Sequence, residues 1–199
     1  MHDRIALFDL DGTLADYHGQ LVKDIAEINE NYFEFPNQWD NLPEWMERQR
    51  TLVTSQPGWW RNLPKFELGF RILNMILHKT DCEIHILTKG PTSKPFAWKE
   101  KVEWVQENID RDVPITITTD KGLVYGKILV DDWPGYIDRW LEWRPRGLVI
   151  MPAHPYNEKY KHPNVIRFDG KNMEEVEIRV LQRTQKDGSG CASNLDLII

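Results

Sequence analysis

The run Asp9-Leu10-Asp11-Gly12-Thr13 places two carboxyl groups on one short loop directly after the apolar residues 5–8. Gly12 frees the backbone for a tight turn. An ionised carboxylate can attack phosphorus to form an acyl phosphate. A second carboxyl two residues on can protonate the leaving oxygen and later take a proton from the attacking water. Two anions beside a dianionic ester repel it, so such a loop calls for a hard cation. Asp131 and Asp132, after the apolar residues 128–130, offer further oxygen ligands, and charge balance points to Mg2+. A transferring phosphoryl group also needs fixed positive charge besides the metal. Lys89, Lys101, Lys121 and Lys127 all stand at suitable places in the chain.

The elements that must hold these residues are legible as short apolar runs ending in polar or acidic ones. Residues 5–8, 84–87, 128–130 and 148–151 read as strands buried on both faces of a parallel sheet. Residues 69–78 and 96–108 have helical spacing, with Trp98, Val102 and Val105 expected on one face of the second. Strands alternating with helices predict an α/β, Rossmann-like parallel sheet with helices on both faces. Ligands bind at the carboxyl ends of the strands in such a sheet, which singles out Asp9, Asp11, Thr88, Asp131 and Asp132. Residues 19–68 break the alternation: helical spacing over 21–31 gives way to a stretch rich in Trp and Pro. They are expected to form a small helical cap, inserted after the first strand, that excludes water from a catalytic core of residues 1–18 and 69–199.

A calcium loop is excluded by the same residues, because the sixth position of an EF-hand needs glycine and here is Leu14, with Thr13 at the fifth and Gln20 at the twelfth. The chain has 199 residues, 41% hydrophobic and 28% charged, enough for one well-buried core and a modest insertion. A formal charge of −6 argues against tracking long nucleic acid, and the N-terminal apolar run is too short for a membrane span or a signal core. Cys82 and Cys191 show neither metal-ligand spacing nor a disulfide framework, which fits a reducing cytoplasm. Residues 185–194 read as a loose tail, and the apolar residues 195–199 are expected to pack back on the body.

The order strand-Asp9-Leu10-Asp11-Gly12-Thr13, strand-Thr88, a later lysine and strand-Asp131-Asp132 resembles the haloacid dehalogenase superfamily of phosphotransferases over residues 4–134. By that resemblance Asp9 is the nucleophile, Asp11 the general acid/base and Thr88 a hydrogen-bond donor to phosphate. Asp131 and Asp132 join Asp9 and Asp11 around the metal, and of the pair the resemblance favours Asp132 over Asp131 as the direct ligand. True dehalogenases lack the second aspartate of the first motif, so Asp11 argues for phosphoryl transfer.

Within the superfamily the chain is similar to the 5'(3')-deoxyribonucleotidases. The likeness lies in residues 9–17 (DLDGTLADY), 59–64 (WWRNLP), 100–105 (EKVEWV) and 119–121 (TDK), the last set lying ten residues before Asp131. The chain departs from that family at Thr13, at Thr88-Lys89-Gly90-Pro91 and at Trp133, and the last two touch phosphate and substrate contacts. The resemblance favours Lys101 as the phosphate lysine, with Lys121 the runner-up and Lys89 beside Thr88. It also makes Tyr17, Trp59 and Trp60 candidates for substrate binding, with Tyr17 and Trp59 around a nucleobase and packing of the cap against itself the favoured alternative for Trp60. His85 is read as a core histidine within its strand, and His154 as a residue of the site rim with no partner visible in the sequence.

The expected activity is therefore magnesium-dependent hydrolysis of a small phosphate monoester, a (deoxy)ribonucleoside monophosphate first. Sugar phosphates, and a non-catalytic phosphate-binding module, are the alternatives. A tandem of nucleophile and acid argues against mere binding. The oligomeric state is left open.

Overall fold

A computed structural model of the chain describes residues 4–29 and 42–184. The expected tail and the end of the helical stretch over 21–31 lie outside the described residues. Six strands form one sheet in the order β3-β2-β1-β4-β5-β6, every neighbouring pair parallel. They are β1 (Ile5–Phe8), β2 (Glu83–Thr88), β3 (Ile115–Ile117), β4 (Ile128–Val130), β5 (Leu148–Pro152) and β6 (Val165–Phe168). Side chains alternate across the pleat. Ala6, Phe8, Ile86, Val130 and Ile150 pack on one side against helices α3 (Glu67–Lys79), α4 (Pro95–Asn108) and α6 (Met173–Thr184). Leu7, Leu87, Leu129 and Val149 pack on the other side against α5 (Pro134–Trp143). The α/β fold class read from the sequence is thus the observed one.

Strand β1 lies at the centre, with β2 on one side and β4 on the other, so the chain changes direction across the sheet at β1. A crevice opens at the carboxyl ends of strands at such a point. Between β1 and α3 the chain inserts helices α1 (Tyr17–Ile28) and α2 (Glu44–Val53), which pack on one another through Leu21, Ile25, Met46 and Val53. This small apolar core is separate from those flanking the sheet. Asp16 starts α1 by accepting a hydrogen bond from the Gly19 amide, an N-cap contact that answers one of the helix's unpaired donors.

Two sequence expectations change. Helix α4 buries Ala97, Glu100, Lys101, Trp104 and Val105, whereas Trp98 and Val102 are only half-buried. Its inward face carries two charged side chains, which hydrophobic spacing cannot register. His85 is partly exposed on β2 and pairs with Glu83 at 3.0 Å, so it is not a buried core group.

Candidate active site

The loop after β1 is fixed by backbone contacts before any side chain acts. Its Asp9 amide donates to the Val130 carbonyl at 2.9 Å, which ties the β1 end to the β4 end. Gly12 has φ +79, and a Cβ there would lie 2.6 Å from the Asp132 carboxylate. Both the left-handed backbone and the close approach require glycine. Helix α3 presses Gly69 against the same loop, so closely that a Cβ would fall 1.7 Å from the Thr13 carbonyl oxygen.

On this loop each aspartate meets its own lysine. Lys121, from a short helical turn after β3, lies 2.7 Å from Asp9 and 2.6 Å from Asp131. Lys101, from α4, lies 2.5 Å from Asp11 and donates to Thr88 Oγ1 at 3.1 Å and to the Lys89 carbonyl at 2.7 Å. Both ammonium groups are buried. The cation beside the candidate nucleophile is Lys121, and Lys101, the lysine the resemblance favours for phosphate, lies beside the candidate acid and Thr88. Lys89 is exposed at the cavity, with its ammonium 5.4 Å from the Tyr136 ring. Lys127 precedes β4, at the other end of the sheet from this loop, where its amide donates to the Ile5 carbonyl.

Asp9, Asp131 and Asp132 are all buried and bring carboxylate oxygens within 4.8 Å of one another. Three hard oxygen donors around one point form a donor set for a divalent cation. Two observations fit that reading. A single ammonium, Lys121, faces two of the three charges, and Asp11 Oδ1 is buried without a hydrogen-bond partner. Burial pushes Asp9 up despite Lys121. Burial also pushes Asp131 up to about 8, with Lys121 opposing the shift and Asp9 and Asp132 adding to it. Burial works against the charge of Asp132 as well, but His18, His154 and Tyr156 outweigh it and bring this carboxyl down to about 2. Lys121 loses hydration, yet Asp131 and Asp9 more than restore its charge and raise it.

Asp132 is held from several sides. Thr13 Oγ1 donates to it at 2.8 Å, the Tyr156 hydroxyl donates to its other oxygen, and His18 Nε2 lies 3.8 Å away. His154 Nε2 donates to the Gly12 carbonyl at 2.6 Å, its ring stacked between Phe66 and Tyr156. The partner of His154 is therefore the Asp9–Thr13 loop itself. Sequence reasoning missed His18, Tyr156 and Tyr136, which come to the site from separate elements and carry no motif.

A cavity of about 670 Å³ rises from Asp9 and Asp11 between the sheet and the inserted helices. Tyr17 and Trp60 line it on one part of its wall, and Arg50, Thr51, Ser55 and Lys94 form a polar part. Trp59 is not among its lining residues: its indole N–H donates to Asp24 at 2.6 Å, and its ring meets Tyr17 edge-on at 5.4 Å. Trp59 thus braces α1, while Trp60, itself buried, borders the cavity.

A central-strand Asp-Xaa-Asp loop, a neighbouring-strand acidic pair and a helical insertion over an all-parallel sheet define a hydrolase of the haloacid dehalogenase superfamily. Solved structures share this fold. A haloacid dehalogenase-like family hydrolase from Xanthomonas campestris is 14% identical with a TM-score of 0.55, over 92% of this chain and 98% of that one. A HAD-hydrolase from Bacillus subtilis bound to magnesium is 11% identical with a TM-score of 0.53, over 90% and 99%. Residues 3–180 match the family described as 5' nucleotidase, deoxy (pyrimidine), cytosolic type C protein, and the chain belongs to that family. A Bordetella pertussis relative named "Putative 5'(3')-deoxyribonucleotidase" is 28% identical over 183 residues, 86% of this chain and 94% of that protein. The protein is accordingly a phosphoric monoester hydrolase of the nucleotidase kind.

Proposed function

We propose that the protein hydrolyses (deoxy)ribonucleoside monophosphates through an aspartyl-phosphate on Asp9. The observation that carries this reading is the separate pairing of Asp9 with Lys121 and Asp11 with Lys101 at the floor of one cavity. Asp9 attacks phosphorus in line, and the bond from phosphorus to the ester oxygen breaks. Asp11 gives its proton to that oxygen and the nucleoside leaves. Asp11 then takes a proton from water as the water attacks the acyl phosphate, which frees Asp9 and inorganic phosphate. Lys121 opposes the upward push of burial on Asp9 and holds its carboxylate in place. Lys101 and Thr88 stand where they can hold phosphate oxygens, and Lys89 adds charge at the mouth.

Asp9, Asp131 and Asp132, with Asp11 beside them, would hold Mg2+, whose charge offsets the repulsion between these carboxylates and the phosphate. Tyr17 and Trp60 would receive the base, since aromatic faces stack on any base with roughly 1 to 3 kcal/mol of gain. Residues 19–68 act in this reading as the cap. We place the enzyme in the cytoplasm, in keeping with the cytosolic type of its family; among the described residues no helix is long and apolar enough to cross a membrane.

The test is phosphate release from 5'- and 3'-deoxynucleotides, ribonucleotides and sugar phosphates, with Mg2+ or with excess chelator. Nucleotides should turn over best, only with metal, and Asp9→Asn should abolish turnover while leaving the circular dichroism spectrum unchanged. Undiminished activity in chelator would sink the metal assignment. Preference for sugar phosphates would replace the nucleotide reading, and parental rates in Asp9→Asn would end the covalent one.

A further inference from the structure

Helix α4 faces two ways. Lys101 points from it to Asp11, Thr88 and the Lys89 carbonyl. Glu100, its neighbour in sequence, reaches the segment that carries Trp60. Its Oε1 accepts from the Gly58 amide at 2.8 Å and its Oε2 from the Trp60 amide at 3.2 Å. Further along the helix, Glu103 lies 3.8 Å from Arg61, and the Trp104 indole donates to the Leu63 carbonyl at 2.7 Å. Residues 58–63 are thus laid along α4, and Glu100 is the clasp nearest the cavity.

Glu100 is only 9% exposed. Burying a carboxylate costs free energy unless charge-assisted hydrogen bonds answer it, and here two backbone amides do so. A leucine would fill the same turn of helix without that cost. What the carboxylate adds is a fixed direction for the backbone of Trp60. The Trp60 indole donates to the Thr54 carbonyl at 2.9 Å, and its ring stands 5.1 Å from the Lys101 ammonium and 5.5 Å from the Tyr17 ring.

We propose that Glu100 is a positioning residue for nucleotide recognition, holding Trp60 at the cavity wall so that one helix registers both the nucleoside and, through Lys101, its phosphate. This rests on the reading that Tyr17 and Trp60 receive the base. A wall that is already ordered spares the substrate the work of ordering it. Releasing the loop should therefore weaken binding of substrates that reach Trp60 and leave the chemistry at phosphorus alone.

The experiment compares Glu100→Ala, Glu100→Gln and Trp60→Ala in the full chain, on a deoxynucleoside monophosphate and on p-nitrophenyl phosphate. Glu100→Ala is expected to raise the nucleotide KM about ten-fold with kcat within about two-fold, and to leave kcat/KM for the aryl phosphate within about two-fold. Glu100→Gln, which keeps one acceptor oxygen, should restore most of the nucleotide KM. In a Trp60→Ala background Glu100→Ala should add little, because both changes remove one interaction.

If Trp60→Ala raises the nucleotide KM and Glu100→Ala does not, the role of Glu100 is overturned and the cavity reading stands. If Trp60→Ala leaves the nucleotide KM untouched, the cavity reading falls and takes the inference with it. Equal losses on both substrates, or additive losses in the double variant, would make Glu100 a brace of the fold and overturn the proposal. Should Glu100→Ala fail to fold, Glu100→Leu, which fills the same turn of helix without an acceptor, carries the same test: a raised nucleotide KM with unchanged aryl phosphate kinetics supports it, and no change overturns it.

Discussion

Lys121 and Lys101 each face a different aspartate, so replacing either with methionine separates their tasks. Lys121→Met leaves Asp9 and Asp131 without the ammonium between them, and its loss should lower kcat by raising the barrier about 2 to 4 kcal/mol, comparable to removing one preorganised electrostatic contact. Lys101→Met removes the contacts to Asp11 and Thr88 and should act more on KM and on leaving groups that need a proton. Steady-state kinetics on an alkyl and an activated aryl phosphate would decide, and the same pattern for both variants would refute the division. At this scale the acidic residues were legible in the sequence because each stands right after an apolar strand. The division of labour between the lysines was not. Sequence distance says nothing of which carboxylate a flexible side chain reaches, and Lys121 meets Asp9 only because β3 and β1 lie in one sheet with β2 between them.

Among the elements, α3 most tightly constrains the Asp9–Thr13 loop. Gly69 in its first turn leaves no room for a methyl group against the Thr13 carbonyl, and the Phe66 amide before it donates to the Leu14 carbonyl at 2.7 Å. Gly69→Ala should therefore push the helix from the loop, destabilise the fold by roughly 1 to 3 kcal/mol and depress kcat, although alanine is the better helix former. Thermal unfolding together with kcat would check this, and a stabilised, fully active variant would refute it. Strands β1, β2, β4 and β5 were visible as apolar runs because both of their faces are covered. Strands β3 and β6 were not, since they lie at the two edges of the sheet, where β3 is half-buried throughout and β6 alternates half-buried with buried residues and includes Arg167. The inward face of α4 escaped notice for a related reason, as Glu100 and Lys101 look like solvent residues until their partners are known.

Across the whole molecule, the carboxylate cluster ties stability to pH. The pKa of Asp131 is about 8 in the fold against an ordinary 3.8, so the folded chain binds this proton more tightly than the unfolded one. Its contribution is present at low pH and is lost as pH rises from about 4 to about 8. Asp132, at about 2, acts oppositely, and its contribution is lost as pH falls below about 4 toward 2. A bound cation should replace the proton held in the cluster, so stabilisation by Mg2+ is expected to grow between pH 5 and pH 8. Melting temperatures with Mg2+ and with chelator across that window test the linkage, and a metal increment independent of pH would break it. The same sheet also sets the order in which the protein can be made. Strand β1 pairs with β2 and with β4, so Ala6 waits for Ile84 on one side and Ile128 on the other. Long loops must close before these pairings reward the chain, which makes parallel sheets slow to fold. On a ribosome, β1 emerges before the other described strands yet waits for β4 before both of its edges are paired. The Asp9–Thr13 loop it carries cannot be tied to Val130 until most of the described chain has been synthesised, and nascent chains shorter than that leave one edge of an apolar strand unpaired.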